Sequence, residues 1–284
     1  MKSIYIGTLQ IHSNTANLGY AVSPGISGME FPEVRNVHYN KPGEHGAFLS
    51  NQLYGGRIVM LEGFVFATTV AAFEALRRQL ADACRITRDN NTVPVAKTLK
   101  FTTMDDIALQ ADCYVRKFTM KVVNLLYAKF QIDIFIPDFA FQAQTEQSTT
   151  ITRASGGGAV YPFIYPQIYG GSTGGQAIIV NAGNAEAFPT IYLNGPITNP
   201  IIQNTTVNRY IELSMTLNST DQVVIDMKNK TIIKNGTTPV IANKTSPSQF
   251  WWLEKGSNTV KFFTSNGADT GNAQVKWRDS YLGI

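Results

Sequence analysis

Charged side chains are scarce in this sequence. They make up 15% of its 284 residues, against roughly 25% in an average soluble protein. The 24 basic and 20 acidic residues leave a formal charge of only +4. That excess is spread evenly, with 14 basic and 12 acidic side chains in positions 1–145 and 10 and 8 in the remainder. With no basic arm in either half, neither nucleic-acid recognition nor an anionic membrane surface is expected. Cysteine is nearly absent: Cys84 and Cys113 are too few for a disulfide framework and neither lies in a C-x-x-C pair, so both read as buried thiols. Histidine is limited to His12, His38 and His45, without helical i, i+4 spacing or a Cys/His cluster, so no metal site is expected. No run approaches the roughly 18 apolar residues of a membrane helix, and Met1–Leu9 lacks a basic stretch followed by an apolar block. Neither membrane insertion nor export by a classical signal is expected.

Catalytic motifs are missing as well. There is no G-x-S-x-G elbow, no phosphate-binding G-x-x-x-x-G-K-[ST] loop, and no G-x-G-x-x-G between a strand and a helix. The glycine runs near Gly156 and Gly174 precede no helix whose aligned amides could hold a phosphate. Asp105-Asp106 is the one adjacent carboxylate pair and reads as a turn; Asp133 and Asp138 flank a strand without a titratable neighbour. These absences predict a protein that is not an enzyme and needs no cofactor.

What the chain has in quantity is β pattern. Arg57–Phe66 alternates through Ile58, Met60, Phe64 and Phe66; Thr98–Thr103, Ala108–Thr119 and Tyr127–Ile136 carry β-branched and aromatic residues in period two, with Ile132, Ile134 and Ile136 on one face. One helix is predicted from about Thr69 to Arg85, where Val70, Phe73, Leu76, Leu80 and Ala83 recur at threes and fours and Thr68 or Thr69 can cap. Asn36–Gly55 is broken by Lys41, Pro42, Gly43, Glu44, His45 and Gly46, and reads as a turn or protruding loop. Residues 146–176 are Gly/Ser/Thr-rich and read as a linker, in which Tyr161, Phe163, Tyr165 and Tyr169, spaced by Pro162 and Pro166, can dock rings on a neighbour. Beyond it strands recur every 8 to 12 residues: Pro189–Asn194, Arg209–Leu217, Gln222–Asp226 paired with Thr231–Lys234, Thr259–Thr264 and Gln274–Arg278, with Asn235-Gly236 as a type I′ turn signal.

The order of several short motifs resembles a known family. Pro42-Gly43-Glu44-His45-Gly46, then Arg57-Ile58-Val59-Met60-Leu61-Glu62-Gly63, the helix with Phe73 and Leu76, and Ile136-Pro137-Asp138-Phe139 are similar to the N-terminal domain of phage distal tail proteins, the siphophage tail component family. Ile178–Asn184, Phe188-Pro189-Thr190-Ile191, Leu193-Asn194-Gly195, Asn199-Pro200 and Lys255-Gly256-Ser257-Asn258-Thr259-Val260 resemble its C-terminal domain. The chain departs from the family at Glu44 and His45, where Arg and Asp are usual, and at Lys255, where Pro is usual.

The resemblance implies residues 1–145 as an α+β ring-forming domain, a sheet or barrel with one packed helix. Residues 177–284 would then be an all-β, galectin-like or carbohydrate-binding-module-like jelly-roll sandwich. It further implies a hexameric ring at the virion tail tip, assembled in the host cytoplasm. Such a hub joins the tail tube protein to the tail-tip hub protein and to a receptor-binding protein or host glycan. On this reading Pro42, Gly43, Glu44, His45 and Gly46 form a subunit-interface loop. A different class is a carbohydrate-binding module, whose glycan platform would be Trp251, Trp252 and Tyr281. Adjacent strand residues face opposite ways, so at most one of the two tryptophans packs inward while the other can be exposed.

Overall fold

The computed structural model describes residues 1–17, 19–90, 93–154 and 175–283. It divides into two compact units, Met1–Gln144 with Tyr281–Ile284, and Thr145–Ser280.

The first unit contains β1 (Ser3–Ile6), β2 (Leu9–Ser13), β3 (Tyr20–Val22), β4 (Val34–Asn40), β5 (Ala47–Tyr54), β6 (Arg57–Phe66), α1 (Val70–Cys84), β7 (Lys97–Thr102), β8 (Ala108–Asn124), β9 (Tyr127–Ile136) and β10 (Phe141–Ala143). The main sheet runs β2-β1-β7-β8-β9-β6-β3, with β10 also paired to β8. Thr69 caps α1 by accepting from the Ala72 amide, and Phe73, Leu80 and Cys84 turn inward. Ile132, Ile134 and Ile136 are buried together, as their spacing predicts. In β6 the alternation predicted through Ile58, Met60, Phe64 and Phe66 is not the buried face. Val59, Leu61 and Val65 are buried, while Ile58, Met60, Phe64 and Phe66 lie on the less covered side. Both faces of this central strand are apolar, so period two cannot select between them. Both cysteines are buried, which pushes the Cys84 thiol up to about 11 and Cys113 to about 12.

One buried cation ties this unit together. Arg57 is 4% exposed. It donates from Nη1 to the Glu30 carbonyl at 2.8 Å and from Nη2 to the carbonyls of Leu282, at 2.6 Å, and Phe139. Its guanidinium also lies 4.3 Å over the Phe141 ring. Burial lowers its pKa to about 10, which leaves it charged at neutral pH.

The second unit comprises β11 (Gln147–Thr152), β12 (Gln176–Asn181), β13 (Thr190–Asn194), β14 (Ile197–Thr198), β15 (Ile201–Asn204), β16 (Arg209–Glu212), β17 (Thr216–Leu217), β18 (Gln222–Asp226), β19 (Thr231–Lys234), β20 (Thr238–Pro239), β21 (Gly256–Phe263) and β22 (Asn272–Trp277). Two antiparallel sheets, β11-β22-β13-β18-β19-β20 and β12-β21-β15-β16, enclose one core. Ile191, Leu193, Val223 and Ile225 enter it from the first sheet, Ile179, Ile202, Val260 and Phe262 from the second. Asn235 and Gly236 both take positive φ, 51° and 75°, in the β19–β20 turn. The predicted strand Arg209–Leu217 is divided between β16 and β17, which pair with different partners.

Part of the predicted linker needs correction. Gln147–Thr152 is a strand in full register with β22, burying Ile151, because its β-branched Thr149, Thr150, Ile151 and Thr152 suit a half-buried sheet. The tail also departs from the predicted 177–284 domain, since Tyr281–Ile284 belongs to the first unit. Gly156–Gly158, the aromatic run Tyr161–Tyr169 and Gly170–Gly174 lie outside the described residues.

Replacing Arg57 by Leu leaves three carbonyl acceptors without their donors. Arg57→Leu is expected to lower the stability of the full chain by about 3 kcal/mol, read from urea unfolding followed by circular dichroism; an unchanged midpoint would refute the clasp.

Candidate assembly surface

The segment 36–55 is a β-hairpin, in place of the expected loop. β4 and β5 pair with each other in a two-stranded sheet of their own. The predicted interface residues Pro42, Gly43, Glu44, His45 and Gly46 form its exposed turn. Gly43 and Gly46 stand at φ 73° and 105°, where a side chain is strained, and the Lys41 amide closes the turn on the Gly46 carbonyl at 3.1 Å. At the root the Gly55 amide donates to the Glu33 carbonyl at 2.7 Å, and Tyr54 stacks on Phe139 at 6.0 Å.

Every residue of β4 and β5 is exposed. Tyr39 is 62% exposed, Phe48 60% and Leu49 56%, and Val37 and Leu53 are open as well. Tyr39 and Phe48 are direct cross-strand partners, and the Lys41 ammonium lies 5.3 Å from the Phe48 ring. The sequence reading missed this pattern because the register shifts between Asn36 and His38, so the apolar side chains change face partway along and leave no constant period.

The remaining sequence candidates do not converge. Trp251 is 1% exposed and packs in the core of the second unit, which removes it from any glycan platform. Trp252 is half-buried, donating its indole N–H to Glu254 Oε1 at 2.7 Å, with the Arg209 guanidinium 4.4 Å above its ring. Tyr281 packs on the core of the first unit. Asp106 pairs with Lys2 and Asp105 accepts from the Thr103 hydroxyl, in a turn where Asp106 takes φ 67°. Among the described residues no group of three or more His, Cys, Asp or Glu side chains is placed to hold a metal ion. The Glu186 carboxyl is held above its usual range by partial burial and by Glu254, partly offset by Arg209.

The motif residues of the second unit brace its turns. Asn258 Nδ2 donates to the carbonyls of Glu254 at 2.8 Å and Gly256 at 3.0 Å, while its Oδ1 accepts from the Glu254 amide at 2.9 Å. Asn181 Nδ2 donates to the Ala185 carbonyl at 2.7 Å, and a Cβ on the adjoining Gly183 would stand 1.8 Å from the Ser280 carbonyl oxygen.

Those turns fall in a recognisable domain. Residues 182–281 match the model of the siphovirus-type tail component, C-terminal domain. Among solved structures the chain is similar to SPP1 Dit (gp 19.1), described as a paradigm of the hub adsorption apparatus in phages infecting Gram-positive bacteria. The TM-score is 0.63 at 12% identity, covering 90% of this chain and 92% of that one. A chain of the phage P2 baseplate in its activated conformation with Ca aligns at TM-score 0.48 and 13% identity, over 96% of each chain. No curated protein matches the sequence. The fold over nearly the whole chain is that of a phage distal tail protein. Residues 182–281 are similar to the siphovirus-type tail component, C-terminal domain, in the stretch where the sequence motifs resemble that family.

The raised Glu186 carboxyl has a pH signature. Its ionised form is disfavoured in the fold, so the unfolded chain loses this proton more readily and the native state loses stability as pH rises through the carboxylate range. Glu186→Gln is expected to raise the urea midpoint of the full chain at pH 7 and to match the parent near pH 4. Solvent screening keeps the gap small; a variant less stable at pH 7 contradicts the assignment.

Proposed function

We propose that this protein is a structural hub of a long-tailed phage's tail tip. Copies close into a ring, a hexamer by family resemblance, joining the tail tube to the tip and its host-adhesion apparatus. The observation that carries this reading is the β4–β5 hairpin, whose two strands are exposed throughout among the described residues and present Val37, Tyr39, Phe48, Leu49 and Leu53 to solvent. An isolated two-stranded hairpin is marginal in water, so an arm of this kind is stabilised by a neighbour. Where donor and acceptor surfaces differ, repeated heterologous contacts form a ring when the rotation between neighbours closes. The low charge content suits such assembly, since interface cores are depleted of charged residues.

In this role the tube protein and the tail-tip hub protein are the partners, and the protein acts at the virion tail tip by assembly, without catalysis. The two-sheet second unit is read as the peripheral, galectin-like jelly roll, separable from a ring-forming first unit. The half-exposed Trp252 with Arg209 and Glu254 favours one further reading, adhesion to a host glycan. Titration of host cell-wall glycan against tryptophan fluorescence tests it, a flat response removing it.

Native mass spectrometry of the full chain should give a closed multiple of the 31.2 kDa subunit, six by expectation. Phe48→Glu, at an exposed position, should shift it to monomer while keeping its circular dichroism. A parent chain that stays monomeric at high concentration would overturn the ring.

A further inference from the structure

Counting charge by halves of the chain hides one local concentration. Residues 113–132 hold Arg116, Lys117, Lys121 and Lys129 and no carboxylate, a charge as large as the +4 of the whole chain. All four side chains are exposed, and among the described residues none forms an ion pair. Lys121 and Lys129 are direct cross-strand partners near the β8–β9 turn, although like charges placed opposite each other destabilise a sheet. Glu62 and Asp133, the carboxylates of the same face, stand farther from the turn, opposite Gln131 and Lys117. The turn itself is apolar. Val122, Val123, Leu125 and Leu126 are 46%, 54%, 74% and 37% exposed, and Asn124 Oδ1 fixes the turn by accepting from the Leu126 amide at 2.9 Å. Beside Lys129, the Phe64 and Tyr127 rings stack at 5.5 Å. None of residues 116–129 lines the methionine-bearing cavity of about 650 Å³ at Met29 and Met104, or the smaller cavities at Tyr54 and Val95.

We propose that the β8–β9 turn docks on an anionic lipid bilayer, its four aliphatic side chains entering the acyl boundary while Lys121 and Lys129 hold headgroup phosphates. Three observations select lipid as the occupant. The first is the order of the chemistry. Aliphatic residues at the turn give way at once to lysines, the sequence met on passing from acyl chains to anionic headgroups. Tyr127 lies between the two, where an aromatic ring with a polar tip is favoured at the membrane interface. The second is the Lys121–Lys129 pair, which folding leaves in mutual repulsion and a phosphate between the ammonium groups would relieve. The third is shape. A folded partner needs a cavity or groove for its anchoring side chains, and these cavities lie elsewhere, whereas a fluid bilayer conforms to any apolar protrusion. The surface is built from one chain alone, so the inference goes beyond the hub reading and does not depend on copies closing into a ring.

The test is co-sedimentation of the full chain with vesicles of phosphatidylglycerol and phosphatidylcholine in equal parts, against phosphatidylcholine alone. The parent should bind the anionic vesicles and not the neutral ones. Binding should weaken from 0.1 M to 1 M salt, as the screening length falls from about 10 Å to about 3 Å. Leu125→Ser removes exposed apolar surface and should weaken binding roughly tenfold. Lys121→Glu should weaken it by a similar factor, roughly tenfold. The same Lys121→Glu chain should keep or raise its urea midpoint, because an opposite-charge pair with Lys129 replaces a repulsive one. Loss of binding without loss of stability separates a lipid contact from a structural role. Leu125→Trp should show blue-shifted emission with anionic vesicles, reporting an indole in the acyl boundary. A parent that ignores anionic vesicles, or variants that bind as the parent does, would overturn the proposal. Trp emission that shifts with polyglutamate and not with vesicles would assign the face to an acidic protein and overturn the lipid reading.

Discussion

A cation buried without a carboxylate partner governs the first unit. Arg57 opens β6 immediately after the root of the β4–β5 hairpin, and its donors reach carbonyls on three separate segments, at Glu30, Phe139 and Leu282. Desolvating a guanidinium is costly unless its N–H groups find acceptors. Carbonyls and the Phe141 face supply most of that compensation here, and only Nε lacks a partner. The geometry matters for the arm. Glu30 lies just ahead of β4, and Phe139 stacks on Tyr54 at the end of β5. One side chain therefore fixes both legs of the hairpin, which leaves the root as an ordered base even though the strands beyond it bury nothing of their own.

Much of this was legible in the sequence, and the failures have specific causes. Helix α1, its Thr69 cap, the β18–β19 hairpin and the shared face of Ile132, Ile134 and Ile136 follow from period and capping chemistry, which act over a few residues. The buried face of β6 is not set by its alternation, because Ile58 and Met60 are as apolar as Val59 and Leu61, and only the position of α1 and the neighbouring strands decides between them. The hairpin was hidden for another reason. Its bulge breaks the alternation, and its apolar residues are exposed, so the rule that strands bury one face has nothing to act on. Arg57 was invisible as a clasp, since its three acceptors, the farthest 225 positions away in sequence, come together only in the folded chain.

In the second unit the legible motifs are structural in a way that their residue types explain. Asn258 satisfies both the amide and the carbonyl of Glu254, just ahead of the Lys255–Gly256 turn, a task that needs a donor and an acceptor on one short side chain. Gly183 is fixed by the Ser280 carbonyl, which leaves no room for a Cβ. Asn181 performs the same bracing at the end of β12. Buried amides of this sort hold a turn in place without charge, in keeping with the low charge content of the chain. They also explain why short turn motifs carry a family signature at low overall identity: the sheets tolerate any apolar residue of suitable size, whereas these positions admit one or two residue types.

The two kinds of surface on the first unit differ in what they demand of a partner. A cavity lined by flexible methionines accepts several shapes, and alone it specifies little. The arm is the selective element. Its rings are presented as a fixed cross-strand pair, its turn depends on two glycines at positive φ, and its root is held by Arg57. Rigid aromatic anchors lose little conformational entropy on docking, so of the two surfaces the hairpin is the one built to select its partner.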